Sequence, residues 1–371
     1  MKTAVIAGLV VGVLVAGIIF IPLMSGTFPS KAQAQATAGK TKKVLFIASE
    51  KVVQVAPDNA LHPGGIKYNA MVFNGTIPGP VVAIDQGDTL QITLKNEGKL
   101  VHSMDFHAGY GADKANSGSV APGQSKTWTL EGTYAGAFFY HCSADALNGI
   151  WEHIANGMYG GIIVHPTNEQ PAKEFYVVFG ENYNTADQGL FKGTKGKIGS
   201  FNITKMINNQ PDLILTNGMA HKYVPAVGQI VKIELNKNAS IFKVKPGELT
   251  RWFIVNAGPN QFVSFHFIGG IISVHDGSVV DRYGTQDLND DTWTIPPGSA
   301  SVIESTFPSP GLYVGVTHAM QNVLKGGAFA VLAANNSTAN DQPAGTCVPP
   351  KGSPTAAELP NGKCLPAAGT A

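Results

Sequence analysis

The chain has 371 residues, 14% of them charged, and its formal net charge at pH 7 is +1. This length fits about two domains of ~150 residues, and the near-neutral charge argues against a nucleic-acid partner or an anionic membrane surface. Glycine (43) and proline (23) are frequent. Short apolar runs separated by such turn-forming residues are typical of an all-β protein.

The N-terminal segment predicts export from the cytoplasm. Residues 4–24 are apolar, glycine or proline without interruption, which fits a membrane helix better than the shorter core of a signal peptide. Small residues between 32 and 36 nevertheless form sites that a signal peptidase could cut. Residues 1–42 are therefore predicted to be an anchor or a cleaved signal, followed by a linker. Both alternatives place the remaining chain in the periplasm or on the outer face of the cell membrane.

From about residue 43 the pattern becomes that of β-strands, and it occurs twice. Each copy has a Gly-Asp or Gly-Glu turn, a strand, a histidine-bearing stretch, a Pro-Gly turn and a last strand ending in histidine. Two tandem Greek-key sandwiches, at 43–167 and 168–334, would produce this repeat. The second copy has Ala319 where the first has Cys142, so a thiolate metal site is expected only in the first domain.

The C-terminal segment 335–371 is rich in alanine, proline and glycine, and is predicted to be a flexible, disordered tail. Cys347 and Cys364 lie in this tail. They could pair in an oxidising compartment, and both the paired and the unpaired form fit the sequence. Cys142 lies within a strand pattern and needs a different explanation.

One loop, from Tyr140 to Met158, carries three metal-binding side chains. Cys142, His153 and Met158 supply a thiolate, an imidazole and a thioether, and His102 adds an imidazole from an earlier strand. Two histidines, one cysteine and a weak axial methionine form the ligand set of a blue-copper electron-transfer site. The sulfur ligands stabilise Cu(I), whereas the nitrogen ligands keep Cu(II) accessible.

The neighbours of these ligands predict a second metal site. His102 and His107 are five residues apart, and His141 is adjacent to Cys142, so on extended backbone the two members of each pair point to opposite faces. One face collects His102 and Cys142, and the other collects His107 and His141. Two sites back to back, joined by the His141–Cys142 peptide, are expected. The second, all-imidazole site suits a catalytic copper with an open position.

Together these residues resemble the copper-containing nitrite reductases. The resemblance extends from Asn74 to Leu332, over both predicted domains but neither terminal segment. It implies two cupredoxin domains, with type 1 copper bound by the four ligands on the first face. It also implies a type 2 copper bound by His107, His141 and His318, where His318 comes from the neighbouring subunit of a homotrimer.

The resemblance also implies the catalytic residues. Asp105 and His266 would flank nitrite and relay protons, and Ile268 would crowd the bound ligand. Reduction of nitrite to nitric oxide needs one electron and two protons, and a carboxyl and an imidazole have pKa values that can be tuned toward neutrality. The alternatives are a carboxylate that only orients a histidine ligand, for Asp105, and a core histidine, for His266.

Other functions stay open at the level of sequence. A two-domain laccase-like multicopper oxidase would need paired His-x-His motifs, which the sequence lacks. A non-catalytic blue-copper electron carrier would leave His107, His141 and His318 unexplained. Another small nitrogen compound, such as hydroxylamine, could be the substrate.

The electron donor is expected to be a small cupredoxin or a c-type cytochrome. Cys142 and His153 are eleven residues apart, a longer loop than expected for the family.

Four further histidines fit no ligand role, and we interpret them as ordinary surface or loop residues: His62, His165, His221 and His275.

Overall fold

The structure is a computed structural model that describes residues 39–109, 118–144, 149–167, 169–186, 197–229, 232–275 and 287–337, with short pieces at 342–343, 346, 348–349, 357–358 and 364–365. These residues are mostly in strands and turns, so the all-β prediction is confirmed. The predicted N-terminal helix and Cys347 lie outside the described residues. Within the described part of the chain, no helix is both long enough and apolar enough to cross a membrane.

The strands in chain order are β1 (Thr41–Ala56), β2 (Ile66–Phe73), β3 (Val82–Asp85), β4 (Thr89–Asn96), β5 (Asp105–Phe106), β6 (Ser125–Glu131), β7 (Gly136–His141), β8 (Tyr159–His165), β9 (Lys173–Asn182), β10 (Ile198–Gly199), β11 (Leu213–Thr216), β12 (Ala226–Gln229), β13 (Lys232–Leu235), β14 (Phe242–Val244), β15 (Leu249–Gly258), β16 (Val263–Ile268), β17 (Ile272–His275), β18 (Asp287–Asp290), β19 (Thr292–Ile295), β20 (Ser299–Thr306), β21 (Gly311–Thr317), β22 (Ala328–Ala333), β23 (Ala357–Glu358) and β24 (Cys364–Leu365). The described helices are α1 (Ile150–Ala155), α2 (Ile203–Ile207) and α3 (Met320–Leu324).

The first sandwich packs a sheet of order β10-β2-β1-β4-β6 against a sheet of order β3-β8-β7-β5. In β4, Leu90, Ile92 and Leu94 alternate with polar residues and are buried in the core between the two sheets. This alternation is the one that the sequence shows, because successive side chains of a strand point to opposite faces. Strand β10 follows β9 in sequence but pairs in parallel with β2.

The second sandwich packs a sheet of order β11-β9-β15-β20-β17-β18 against one of order β14-β22-β21-β16-β19. Its core is aromatic: Trp252 stacks on Phe175, with ring centroids 4.2 Å apart, and Phe267 and Phe329 pack beside them. The domain boundaries at 43–167 and 168–334 remain a prediction from the sequence.

A further apolar layer joins the two sandwiches. Phe139 and Ile163, on the face of the β3-β8-β7-β5 sheet that points away from the first core, pack with Tyr176 and Phe253 of the second sandwich. The β3-β8-β7-β5 sheet and the β11-β9-β15-β20-β17-β18 sheet are therefore each covered on both faces. This explains why every residue of β8 is buried, and why its sequence, which ends in His165, does not alternate between polar and apolar residues.

The prediction that the four extra histidines are ordinary surface or loop residues is wrong in part. His62 and His221 lie in loops but are buried, whereas His165 and His275 lie in strands β8 and β17. His62, His165 and His221 are 3%, 5% and 7% exposed. His165 Nδ1 lies 2.7 Å from Glu169 Oε2, and His275 Nε2 lies 3.0 Å from Glu304 Oε2. Both carboxylates also contact the Arg251 guanidinium, so these two histidines belong to an ion-pair network where the sandwiches meet. Sequence alone does not show such burial, because the partners come from distant strands.

Disorder was predicted for the tail, but some of its described residues pack against the body. Thr346 is 1% exposed, its carbonyl accepts a hydrogen bond from the Tyr176 N–H at 3.1 Å, and Val348 packs on the layer between the sandwiches. The tail is therefore ordered at these positions. The reason is that this layer leaves apolar surface that the tail covers.

The other two histidines, His62 and His221, form a buried pair. This pair predicts that acid lowers the stability of the folded protein. His62 Nε2 lies 3.0 Å from His221 Nδ1, and His221 Nε2 lies 3.1 Å from the Leu324 carbonyl oxygen. Burial disfavours the charged imidazole and lowers the pKa of His62 to about 3 and that of His221 to about 4. Both values lie below the usual 6.5, so the unfolded chain takes up protons first as the pH falls.

The stability contributed by this neutral pair is therefore present above pH 6.5 and is lost as the pH falls toward about 4. At pH 5 we expect a loss of roughly 2 kcal/mol per histidine. His62→Gln should have a smaller loss of unfolding free energy than the wild type between pH 7.5 and pH 5, measured by denaturant titration. Parallel pH profiles for the two proteins would contradict this assignment.

Candidate metal centre

Three of the predicted ligands meet around the Cys142 sulfur. Cys142 Sγ lies 3.2 Å from His153 Nδ1 and 3.9 Å from His102 Nδ1. Candidate ligand atoms of these three residues all lie within 4.8 Å of one another. The Ser103 N–H donates to the same sulfur at 3.2 Å. Cys142 and His102 are 0% exposed and His153 is 6% exposed, so the cluster is closed to bulk water.

Backbone hydrogen bonds place Met158 beside this cluster. The Cys142 N–H donates to the Met158 carbonyl oxygen at 3.0 Å, and the Met158 N–H donates to that of His153 at 3.1 Å. Met158 is fully buried. Between α1, which carries His153, and Met158, Gly157 has φ +116°, and a Cβ there would lie 2.3 Å from Ile77 Cδ1. A glycine is thus required at this turn.

Glu50 is a residue of this site that the sequence analysis missed. Its Oε1 lies 2.9 Å from His102 Nε2, and the Lys99 N–H donates to its Oε2 at 2.8 Å. Burial raises the pKa of Glu50, but the hydrogen bonds from Lys99, His102 and Leu100 outweigh it, and the pKa lies below its usual value. The carboxylate thus fixes the proton on His102 Nε2 and leaves Nδ1 facing the sulfur.

A second cluster lies on the other side of β7. His107 Nε2 is 3.2 Å from His141 Nε2, and His141 Nε2 is 3.5 Å from Asp105 Oδ2. Asp105 is also the register partner of His141 across the β5–β7 pair. Burial lowers the pKa of His141 to about 4, so the imidazole is neutral near pH 7. Its Nδ1 lies 3.0 Å from the Cys142 carbonyl oxygen, which leaves the Nε2 lone pair available to a metal.

His141 and Cys142 lie on opposite sides of β7 and its continuation. Cys142 lies in the core of the first sandwich. Phe139, on the opposite face of β7, lies in the layer between the sandwiches, and its ring is 5.0 Å from that of His141. His107 also has a hydrogen bond with the Gly298 backbone of the second sandwich. One strand thus directs one cluster inward and the other toward the second sandwich.

The remaining predicted residues lie on a separate surface. The His266 and His318 rings are 5.5 Å apart. His266 Nδ1 lies 2.5 Å from the Asp291 carbonyl oxygen. The backbone N–H of His318 donates to the Ser264 carbonyl oxygen at 2.6 Å. Ile268 is 49% exposed. Within one described chain, His318 is not part of the cluster of Asp105, His107 and His141.

The two donor sets fit copper. A thiolate with two imidazoles and a nearby thioether matches a blue-copper site, and a neutral imidazole pair beside a carboxylate suits a more open copper or zinc site. His153 Nδ1 and the Ser103 N–H both lie close to the Cys142 sulfur. The assignment of these residues as copper ligands stays a prediction.

Known proteins give an independent comparison. Two family models, both described as multicopper oxidase, match residues 54–169 and 173–337. The chain is 30% identical to a copper-containing nitrite reductase of Rhizobium sullae, with 72% of this chain and 70% of the relative covered. It is 32% identical to one of Neisseria gonorrhoeae, of which it spans 64%, less than two thirds. A solved copper nitrite reductase from Nitrosomonas europaea superposes with a TM-score of 0.69 at 30% identity, covering 81% of this chain and 96% of that one.

The fold, the donor sets and the domain matches define a copper protein of the multicopper oxidase class. Within that class, the chain belongs to the family of copper-containing nitrite reductases.

Glu50 should control how tightly the Cys142 cluster holds copper. Glu50→Ala leaves a buried imidazole N–H without its partner, and loss of such a partner typically costs about 10–100-fold in metal affinity. Glu50→Gln keeps a hydrogen-bond acceptor, so a smaller loss is expected. Competition titration with a copper chelator measures both. The control is Glu97→Ala, because Glu97 is exposed and paired only with Lys95 in the described structure. Equal affinities for Glu50→Ala and Glu97→Ala would contradict this role.

Proposed function

We propose that this protein reduces nitrite to nitric oxide, with one electron passed from a type 1 to a type 2 copper. The observation that carries the proposal is the pair of clusters on opposite faces of β7, joined through adjacent residues. An isolated electron carrier needs only the Cys142 cluster. It would have no use for Asp105, His107 and His141, which the β5–β7 pairing brings together on the other face.

The ligand assignments follow from this arrangement. His102, Cys142, His153 and Met158 would hold type 1 copper, and His107 and His141 would hold type 2 copper together with a neighbouring subunit's copy of residue 318. When bound, copper supplies one-electron transfer at the first site and an electrophilic open position for nitrite at the second. One copper of each type per subunit is expected.

The chain itself provides a short connection between the two ligand sets. His141 and Cys142 share a peptide bond, and His141 Nδ1 lies 3.0 Å from the Cys142 carbonyl oxygen. That contact orients the ring so that Nε2 faces His107 and Asp105. One candidate ligand of each set is therefore fixed by the same strand and its continuation, which favours electron transfer without rearrangement.

Two residues can supply the protons that the reaction consumes. Nitrite, one electron and two protons give nitric oxide and water. The Asp105 side chain is 35% exposed and 3.5 Å from His141 Nε2, so it can exchange protons with solvent beside the open copper position. At His266, the Asp291 carbonyl oxygen requires a proton on Nδ1, which leaves Nε2 to accept and release a proton. Ile268, which is exposed beside it on β16, would limit the space around nitrite.

A homotrimer would complete the site. His318 is exposed, and it pairs with His266 rather than with His107 and His141 of its own chain. These facts support donation of His318, His266 and Ile268 to a neighbouring subunit. As a one-electron enzyme of denitrification type outside the cytoplasm, the protein would accept electrons from a small cupredoxin or a c-type cytochrome. Its N-terminal segment would serve as signal or membrane anchor.

Copper stoichiometry and electron paramagnetic resonance test the proposal. We expect two coppers per chain in the copper-loaded protein, one of each type, with nitrite changing only the type 2 signal. Cys142→Ala should lose the visible type 1 absorption and nitrite reduction but keep the type 2 signal. One type 1 copper alone would mean an electron carrier. About four coppers per chain would mean an oxygen-reducing oxidase.

A subunit-mixing experiment tests the shared site. His141→Ala and His318→Ala homo-oligomers should each lack nitrite reduction. Co-expressed in equal amounts, they should regain about a quarter of the wild-type activity, because half of the subunits supply an intact His141 and half of their neighbours an intact His318. Mixing two preparations of His141→Ala alone is the control. No recovery in the mixed oligomer would argue against a site shared between subunits.

A further inference from the structure

A small cavity lies where the end of β21 packs against the residues that precede β16. Gln261, Thr317 and Asn322 contribute to its wall, together with Glu181 of β9. It offers about 10 Å³ to the centre of a water molecule, which is about the room that one buried water needs. The proposed copper sites lie elsewhere, so this cavity has no role in the function described so far.

Three buried polar atoms of this wall have no hydrogen-bond partner in the described structure: Gln261 Oε1, Thr317 Oγ1 and Asn322 Oδ1. Thr317 and Asn322 are 0% and 2% exposed. Buried polar atoms are almost always paired with protein or with ordered water, because an unpaired one loses its hydration without compensation. Three unpaired atoms around one cavity therefore point to a ligand that pairs with all of them.

The chemistry of the three atoms selects water. Gln261 Nε2 donates to Asn209 Oδ1 at 2.9 Å, which fixes Gln261 Oε1 as the atom directed to the cavity, where it can only accept. Asn322 Oδ1 likewise accepts, and the Thr317 hydroxyl can donate. A water molecule donates twice and accepts at least once, so it pairs with all three. Three hydrogen bonds is the usual number for a buried water.

A metal cation fits the cavity less well. Neither Gln261, Thr317 nor Asn322 carries a charge. The Glu181 carboxylate already accepts hydrogen bonds from the Asn260 and Gln261 N–H groups at 3.0 and 2.6 Å, and from the Tyr183 hydroxyl. No unpaired negative charge in the described wall would offset that of a cation.

From these observations we infer that one structural water is bound by Gln261, Thr317 and Asn322, and that it positions the two histidines proposed to act at the type 2 site. Thr317 precedes His318 directly, and Asn322 lies on α3 just after it. Gln261 lies two residues before β16, which carries His266. The water thus joins the segments that present both rings. The positioning role rests on the proposed function, whereas the presence of the water does not.

A crystal structure of the copper-loaded full chain at high resolution tests the water directly. We expect a density peak with three protein oxygens at about 2.7–3.2 Å. A cavity without a peak, or side chains that turn to pair with one another, would overturn the inference. Oxygen distances near about 2.4 Å would identify a cation and would also overturn it.

The sign of one stability change provides a second test. If water is bound, Thr317→Val removes a hydrogen bond, and the melting temperature should fall by about 2–4 °C. If the hydroxyl has no partner, the same change removes an unpaired polar group, and the melting temperature should stay equal or rise. An unchanged or higher value for Thr317→Val would overturn the inference.

The positioning role has its own measurement, the type 2 electron paramagnetic resonance spectrum of copper-loaded Thr317→Val. A small displacement of residue 318 should shift this spectrum while the type 1 absorption stays unchanged. An identical type 2 spectrum would overturn the positioning role. If the wild type had no type 2 signal, the proposed function would fail, but the density peak and the melting temperature would still decide whether the water is present.

Discussion

The alternation of side chains along β7 is the constraint on which the candidate site depends. Adjacent residues of an extended strand point to opposite faces, so His141 and Cys142 cannot serve the same pocket. The sheet that contains β7 is covered on both faces, by the first core on one side and by the layer between the sandwiches on the other. The face toward the first core is dry, whereas the other face carries the buried His141 beside the half-buried Asp105 and the exposed His107. A closed cluster around the Cys142 sulfur forms on one face and a neutral imidazole pair on the other, within one peptide unit of each other.

Desolvation by the surrounding protein also explains the electrostatics of the histidines. Desolvation disfavours the charged imidazole, and it is the main cause that lowers the pKa values of His102, His107 and His141. Each ring is then oriented by a specific neighbour: Glu50 for His102, the Gly298 backbone for His107 and the Cys142 carbonyl for His141. Histidines that are neutral and fixed before a metal arrives need little rearrangement to bind one.

The sequence alone could predict features that depend on residues close together in the chain. It could not predict contacts between residues that are far apart in the chain. The all-β class and the inward alternation of Leu90, Ile92 and Leu94 were evident because they depend on residues close in sequence. The separation of His141 and Cys142 onto two faces could also be predicted, since it needs only parity along an extended segment. Glu50 could not be found, because it contacts His102 across 52 residues and no local pattern marks a single carboxylate in a strand. The buried His62–His221 pair escaped for the same reason, with a separation of 159 residues.

The pairing of β10 with β2 bears on how such a two-domain chain can be divided. β10 belongs by sequence to the second sandwich, yet it completes the edge of the first, with Ile198 and Gly199 opposite Lys67 and Tyr68. A first domain produced by itself would present a bare β2 edge, together with the apolar face that carries Phe139 and Ile163. An unpaired edge next to exposed apolar surface promotes aggregation. The two repeats resemble each other in sequence, but the first depends on β10 to cover its edge and on the second sandwich to cover its apolar face, so exchange of either repeat alone by recombination would leave both exposed.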